Sequence, residues 1–235
     1  MKRVTTIASI GLALGLGTAA TSVLLWLLGG SLSTVQAEGP DGYSVYHVAS
    51  SCIGVPAPCY TTVQAAVDAA DDPGDVIKVA EGTYTGVQGR PVPATYPAPP
   101  PGGVITQVVY ISKTITIRGG YIAPDFTDPP DSGTHPTVLD ARGHGRVLCI
   151  AGDISATIEG LRITQGNAFG LGGGWRGSSG AGGGVYVLAA TVILSNNHVI
   201  SNTAPPTGVG GGLYFTGTEK ATLTGNTIGH NRGGS

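Results

Sequence analysis

The sequence predicts an all-β fold built as a parallel solenoid, and three observations predict it. The first is a pattern written twice. Gly182-Gly183-Gly184-Val185-Tyr186-Val187 returns 28 residues later as Gly210-Gly211-Gly212-Leu213-Tyr214-Phe215, and Leu194-Ser195-Asn196-Asn197-His198-Val199 returns 29 residues later as Leu223-Thr224-Gly225-Asn226-Thr227-Ile228. Self-similarity at a period of roughly 20 to 50 residues marks stacked architectures in which each repeat covers its neighbour's apolar face. The second is composition: charged residues make up 11% of the chain, against roughly 25% in an ordinary soluble domain, and there are 40 Gly and 16 Pro. The 41% of hydrophobic residues fall in periodic runs, which argues against disorder. The third is an alignment without gaps around one inward apolar position, Val79, Ile117, Ile158, Leu194 and Leu223. Each is preceded two residues earlier by Ile77, Ile115, Ala156, Val192 or Ala221, the alternation of a strand with one buried face. Each is followed by a turn: Glu81-Gly82, Gly119-Gly120, Gly160-Leu161, Asn196-Asn197 and Gly225-Asn226.

Three segments follow from the N-terminus. Residues 1–37 read as a signal peptide or membrane anchor. Lys2 and Arg3 precede an uncharged run from Val4 to Ala37, and the small residues Val35 and Ala37 suit cleavage before Glu38. The run is also long enough to span a bilayer, which takes about 20 residues, so an uncleaved anchor with its basic end inside stays open. Either way the rest of the chain is expected to be extracytoplasmic, secreted or at the cell surface, touching a membrane only through this segment. Without it the chain carries ten basic and fourteen acidic residues, which is no footprint for nucleic acid. Residues 38–74 read as a lead-in strand, a cysteine loop and a capping helix. Cys52 and Cys59 flank Ile-Gly-Val-Pro-Ala-Pro and would close as a disulfide in an oxidising space, two reduced thiols being the alternative. Cys149 reads as a small core residue of a strand. Thr61 or Thr62 caps a helix whose Val63, Ala66, Val67 and Ala70 form one stripe, and Asp71-Asp72-Pro73-Gly74 stops it. A short amphipathic helix blunts the open end of a stack.

Residues 75–235 read as the coils. From Ile117 the core position recurs after 41, 36 and 29 residues, so the strand persists while its loops shrink. The surplus lies in a Pro-rich excursion from Arg90 to Gly103, in Ile122 to Pro136, in the Gly-rich Ala168 to Gly184 and in the shorter Thr203 to Gly211. Such loops should emerge on the lateral surface, where stacked repeats place binding features.

The order "TVQAAVDAADDPGDVIKVAEGTYTG", "TITIRGGY", "TVLDARGHGRV", "IEGLRITQGNA" and "GGGVY" resembles extracellular right-handed parallel β-helix proteins of the pectin-lyase-like superfold. It is similar, more narrowly, to bacterial surface proteins with polymorphic-outer-membrane-type repeats. The resemblance covers about residues 43 to 235 and implies a right-handed parallel β-helix. It says little about function, since that superfold hosts lyases, hydrolases and adhesins.

Lyases of that superfold use carboxylates on successive coils to hold calcium, with a basic residue to take a proton. Arg118, Glu159, Ser195 and Thr224 form one outward column and Arg162, His198 and Thr227 a second, so Arg118, Glu159 and Arg162 are the catalytic candidates. A surface ion pair is the favoured account of Arg118 and Glu159, because one carboxylate makes a poor site for a cation that takes about six to eight oxygens. Asp125, Asp128 and Asp131 are the candidates for calcium, but their spacing lacks the familiar loop pattern, and solvated acids account for them. Asp140 with His144 forms an acid/base candidate, matched by a simple turn. His47, His135, His198 and His230 show no metal spacing. Asn197 and Asn226, like Asn202 and Asn231, occupy equivalent corners and should stack as hydrogen-bonded ladders. Trp175, Tyr186 and Tyr214 would stack on sugar rings if exposed. The stack looks truncated at its C-terminal end, since the chain stops after Arg232-Gly233-Gly234-Ser235 where a further coil would begin. Either a longer solenoid or end-to-end association is then expected. The functional expectation is an adhesive or carbohydrate-binding scaffold acting on extracellular polysaccharide or cell-surface glycan. The alternative is a pectate-lyase-like lyase or a glycoside hydrolase.

Overall fold

A computed structural model describes residues 42–71, 73–175 and 179–234. The expected leader, residues 1–37, lies outside them. The described residues begin with β1 (Val45–Val48), β2 (Cys59–Tyr60) and α1 (Val63–Ala69). One turn of chain then supplies β3 (Asp75–Ala80), β4 (Gly82–Tyr84), β5 (Gln88–Pro91) and β6 (Val104–Ile111). The next supplies β7 (Ile115–Tyr121), β8 (Thr137–Asp140) and β9 (Arg146–Ala151). It is followed by β10 (Ser155–Glu159), β11 (Leu161–Thr164) and β12 (Val185–Leu188), then by β13 (Thr191–Ser195), β14 (His198–Ile200) and β15 (Leu213–Thr216). The last strands are β16 (Ala221–Thr224) and β17 (Thr227–Gly229).

These strands sort into three sheets. The first runs β16-β13-β10-β7-β3-β1-β2, the second β17-β14-β11-β8-β4 and the third β15-β12-β9-β6-β5. Every pairing is parallel except β5 with β6. Each turn of chain thus adds one strand to each sheet, an arrangement compatible with a β-helix or solenoid. The exception shows that the Pro-rich excursion is no plain loop. It is the tip of a hairpin in which Gln88 faces Gln107 and Pro91 faces Val104.

Alternation decides the core. Val48, Ile77, Ile117, Ile158 and Leu194 are buried and lie within one apolar cluster fed by all three sheets. The register joins Ile117 to Ile158, Ile158 to Leu194 and Leu194 to Leu223. The first coil corrects the gap-free alignment. Ile77, not Val79, lies opposite Ile117, and the register slips between Lys78 and Ala80, where Gly119-Gly120 bulges (φ +90° at Gly120). The alignment is thus two residues out before that one-residue bulge, and an offset of two keeps the same residues inward because the side-chain period of a strand is two, so the sequence pattern does not reveal it.

At the N-terminal side Thr62 caps α1, its hydroxyl accepting from the Ala65 N–H at 3.2 Å. Gln64 ties the helix to the third sheet: its Oε1 accepts from Tyr110 N at 2.6 Å and its Nε2 donates to Tyr110 O at 3.2 Å. Cys52 and Cys59 are disulfide-bonded, closing the loop that carries Ile53.

Corners in the later coils are built on Asn. The Asn197 Nδ2 donates to Ile158 O and to Asn226 Oδ1, at 2.9 and 3.1 Å, and its Oδ1 accepts from Leu161 N at 3.0 Å. Asn202 does the same with Ile163 O, Asn231 Oδ1 and Gly166 N.

Candidate functional site

The outward column of the first sheet is longer than the spacing suggested. His47 pairs with Lys78, Lys78 with Arg118, Arg118 with Glu159, Glu159 with Ser195 and Ser195 with Thr224. Its charges are matched. The Arg118 Nε donates to Glu159 Oε2 at 2.8 Å. Lys78 Nζ reaches Asp128 at 2.5 Å, and Asp128 also accepts from the Tyr121 hydroxyl at 2.7 Å. Burial pulls the Arg118 guanidinium down, but hydrogen bonds with Tyr121 and Glu159 and the Glu159 charge more than offset it and keep it charged. For Asp128, partial burial pushes up, yet hydrogen bonds from Lys78 and Tyr121 hold the carboxyl below its ordinary range. A guanidinium held in its charged form by a carboxylate is a poor general base, so this pair works as a surface ion pair.

The other candidates do not gather around it. Arg162 belongs to the second sheet, between Val138 and His198, in a shallow hollow with Ser132, Pro136 and Asn196. The three aspartates of residues 122–136 also take separate tasks. Asp125 is exposed, Asp128 holds Lys78, and Asp131 Oδ1 accepts from Gly133 N and Thr134 N, both at 3.0 Å. Among the described residues no group of three His, Cys, Asp or Glu is placed to hold a metal ion. Asp140 Oδ1 accepts from Arg142 N at 2.7 Å, the expected turn.

A different site forms on the third sheet, where the Pro-rich and Gly-rich insertions meet. Ile150 and Val187 point into the main core, so their neighbours Cys149, Ala151, Tyr186 and Leu188 point the other way. There they bury a second apolar cluster with Tyr96 of the Pro-rich hairpin and Ala181 of the Gly-rich segment. At its centre is Arg146, wholly buried and with no salt bridge to a carboxylate among the described residues. Its Nε donates to Ala181 O and its Nη2 to Gly172 O, both at 2.8 Å, and the guanidinium lies 4.6 Å from the Tyr186 ring centroid and 5.8 Å from that of Tyr96. Aromatic faces and carbonyl oxygens supply the negative potential that a buried cation requires.

These contacts pin the Gly-rich segment at successive residues. The Tyr96 hydroxyl donates to Leu171 O at 2.7 Å, Arg146 to Gly172 O, and the Tyr186 hydroxyl to Gly173 O at 3.0 Å. The Gly173 N–H in turn donates to Pro97 O at 2.9 Å. The glycines are required here. A Cβ on Gly172 would run into the Ala98 carbonyl oxygen, and one on Gly173 would lie 2.6 Å from the Tyr186 ring, with φ at +62° and +86° respectively. On either side of the pinned residues, Phe169 and Trp175 are 70% and 77% exposed. Tyr186 is buried and stacks on Tyr214 at 5.8 Å, so of the three aromatic residues considered for sugar stacking Trp175 is the accessible one. Burial pushes the neighbouring Cys149 thiol up to about 12 against the lowering charge of Arg146, which leaves it unreactive.

Sequence reasoning overlooked Arg146. Its one signal was a charged residue opening an apolar strand, Arg146-Val147-Leu148-Cys149-Ile150. Comparison of the chain with protein-family models, with curated proteins and with solved structures finds no match.

Proposed function

We propose that the chain is an extracytoplasmic right-handed parallel β-helix scaffold, secreted or displayed at the cell surface, that adheres to extracellular polysaccharide or cell-surface glycan. The pinned loop carries this reading. Phe169 and Trp175 present large aromatic side chains on either side of the pinned residues, and Trp and Phe stack on the apolar faces of sugar rings. A loop already fixed by Arg146, Tyr96 and Tyr186 loses little entropy when it binds. The resemblance to pectin-lyase-like proteins supports the winding and the extracellular setting. The lyase alternative would draw on Arg118, which already faces Glu159.

Retention of the purified chain on a panel of immobilised polysaccharides tests the reading. Binding without turnover is expected, with Trp175→Ala losing at least about tenfold in affinity at unchanged melting temperature, since a surface substitution moves stability by about 0.5 kcal/mol or less. Calcium-dependent release of unsaturated product from polygalacturonate would replace the scaffold by the lyase.

A further inference from the structure

A second hollow lies at the opposite end of the hairpin, where the sheets end unevenly. The first sheet runs on past β3 through β1 and β2, and the third runs on past β6 through β5, but the second stops at β4. Beside β4 the surface forms an open groove of about 620 Å³ between the start of α1 and residues 82–88. That volume suits a ligand of a few rings, since such sites span about 300 to 1,000 Å³.

The groove's chemistry is uniform. Ser50, Thr61, Thr83, Thr85 and Gln88 line it with polar residues, alongside the apolar Val87 and Val108. The hydroxyls of Thr61, Thr83 and Thr85 have no hydrogen-bond partner among the described residues. The strand edge adds a backbone pair. Gly82 N donates toward β8, to Pro136 O at 3.1 Å, and successive residues of a strand direct their backbone groups to opposite edges, so the N–H and C=O of Thr83 face the groove. The one carboxylate in the wall, Asp68, is already matched: Arg90 Nη2 donates to both of its oxygens, at 2.9 and 2.6 Å.

We infer that this groove binds an uncharged oligosaccharide. Polar residues along the groove, apolar Val87 and Val108 for the C–H face of a sugar, and a lining without a cation favour a neutral polyol over a uronate, whose carboxylates would be desolvated there without a positive partner. The inference rests on the glycan reading above and names a second subsite and its selectivity.

Titration of the full chain with cellohexaose as the neutral probe and hexagalacturonate as the charged one, followed by calorimetry and by amide chemical shifts, tests it. Cellohexaose is expected to shift the amides of Thr83 and Thr85 and to bind at least tenfold more tightly than hexagalacturonate. The double variant Thr83→Val/Thr85→Val keeps β-branched side chains and is expected to lose at least tenfold in cellohexaose affinity, whereas Trp175→Ala leaves those shifts intact. If the double variant binds cellohexaose like the parent, or hexagalacturonate binds equally well, the groove inference falls. Should Trp175→Ala alone abolish glycan capture, the groove falls and the loop reading stands. No saccharide binding anywhere overturns both, and an extended peptide shifting the same amides in place of sugar overturns the groove alone.

Discussion

The late corners and the loop layer over the third sheet bury polar groups by opposite means. At the corners the solution is repetition. Asn197 is wholly buried, yet its amide is satisfied by Ile158 O, Leu161 N and the equivalent Asn226 one turn of chain later. Strand spacing of about 4.8 Å brings like next to like, so one residue type repeated at one position makes its own partner. Around Arg146 the partners are not repeat equivalents. Arg146 buries a full charge and relies on two carbonyls of the Gly-rich segment and on the faces of Tyr96 from the hairpin and Tyr186 from β12. Its Nη1 has no partner among the described residues. A ladder is modular, and losing one rung is a local event. The Arg146 centre holds two insertions at once, so its loss should propagate.

The largest effect is therefore expected from Arg146→Met. It removes two charge-assisted hydrogen bonds and leaves the buried Ala181 carbonyl without its Arg146 donor, while Gly172 O keeps the Ala181 N–H, at about 3 kcal/mol. Chemical denaturation measures the loss, and limited proteolysis within residues 169–175 reports whether the loop comes free. A Met variant as stable and as protected as the parent would remove Arg146 from the centre of this account.

Ladder substitutions should be smaller and graded by position. Asn197→Ala is expected to cost about 2 kcal/mol, for a buried amide with partners on both sides, and Asn226→Ala about 1 kcal/mol at its half-buried place. Equal costs at the two positions would contradict rung-by-rung stacking.

A third test uses pH. Burial lowers the pKa of His47; the Pro58 carbonyl opposes this, the Lys78 charge adds to it and the Pro56 carbonyl again opposes it. The folded chain thus favours neutral His47. Its contribution to stability is complete above the unfolded value of about 6.5 and is lost as pH falls from there through the lower folded value. Melting temperature followed from pH 8 to 5 should drop on the acid side, and less so in His47→Gln. Parallel curves for the two proteins would exclude His47 as the source.

The smallest effect belongs to the ion pair first considered for catalysis. Arg118 and Glu159 are part-exposed, so Glu159→Gln should change stability by only about 0 to 1 kcal/mol. A loss of polysaccharide turnover in that variant, with stability intact, would restore the column as an active site.

Features carried by local chemistry or by period were legible without coordinates. These include the Thr62 cap, the alternation of the core strands, and the matching of Asn197 with Asn226. The second outward column was legible too: beyond the corner at Gly160, Arg162 pairs with His198 and His198 with Thr227, as their spacing implied. One feature was not legible, for an identifiable reason. The gap-free alignment misplaces the first coil by two residues, setting Val79 rather than Ile77 opposite Ile117, which leaves the inward pattern unchanged.

The sequence by itself determined an all-β chain of parallel strands, the residues that face its core and the Asn corners of its later turns, because each depends on neighbours a fixed number of residues apart. Only the tertiary structure decided that the Pro-rich and Gly-rich insertions meet. Arg146 lies 26 residues from Gly172 and 35 from Ala181 along the chain, and no period relates them. What joins them is the burial of one guanidinium, which becomes tolerable only when carbonyls and aromatic faces from separate insertions close around it.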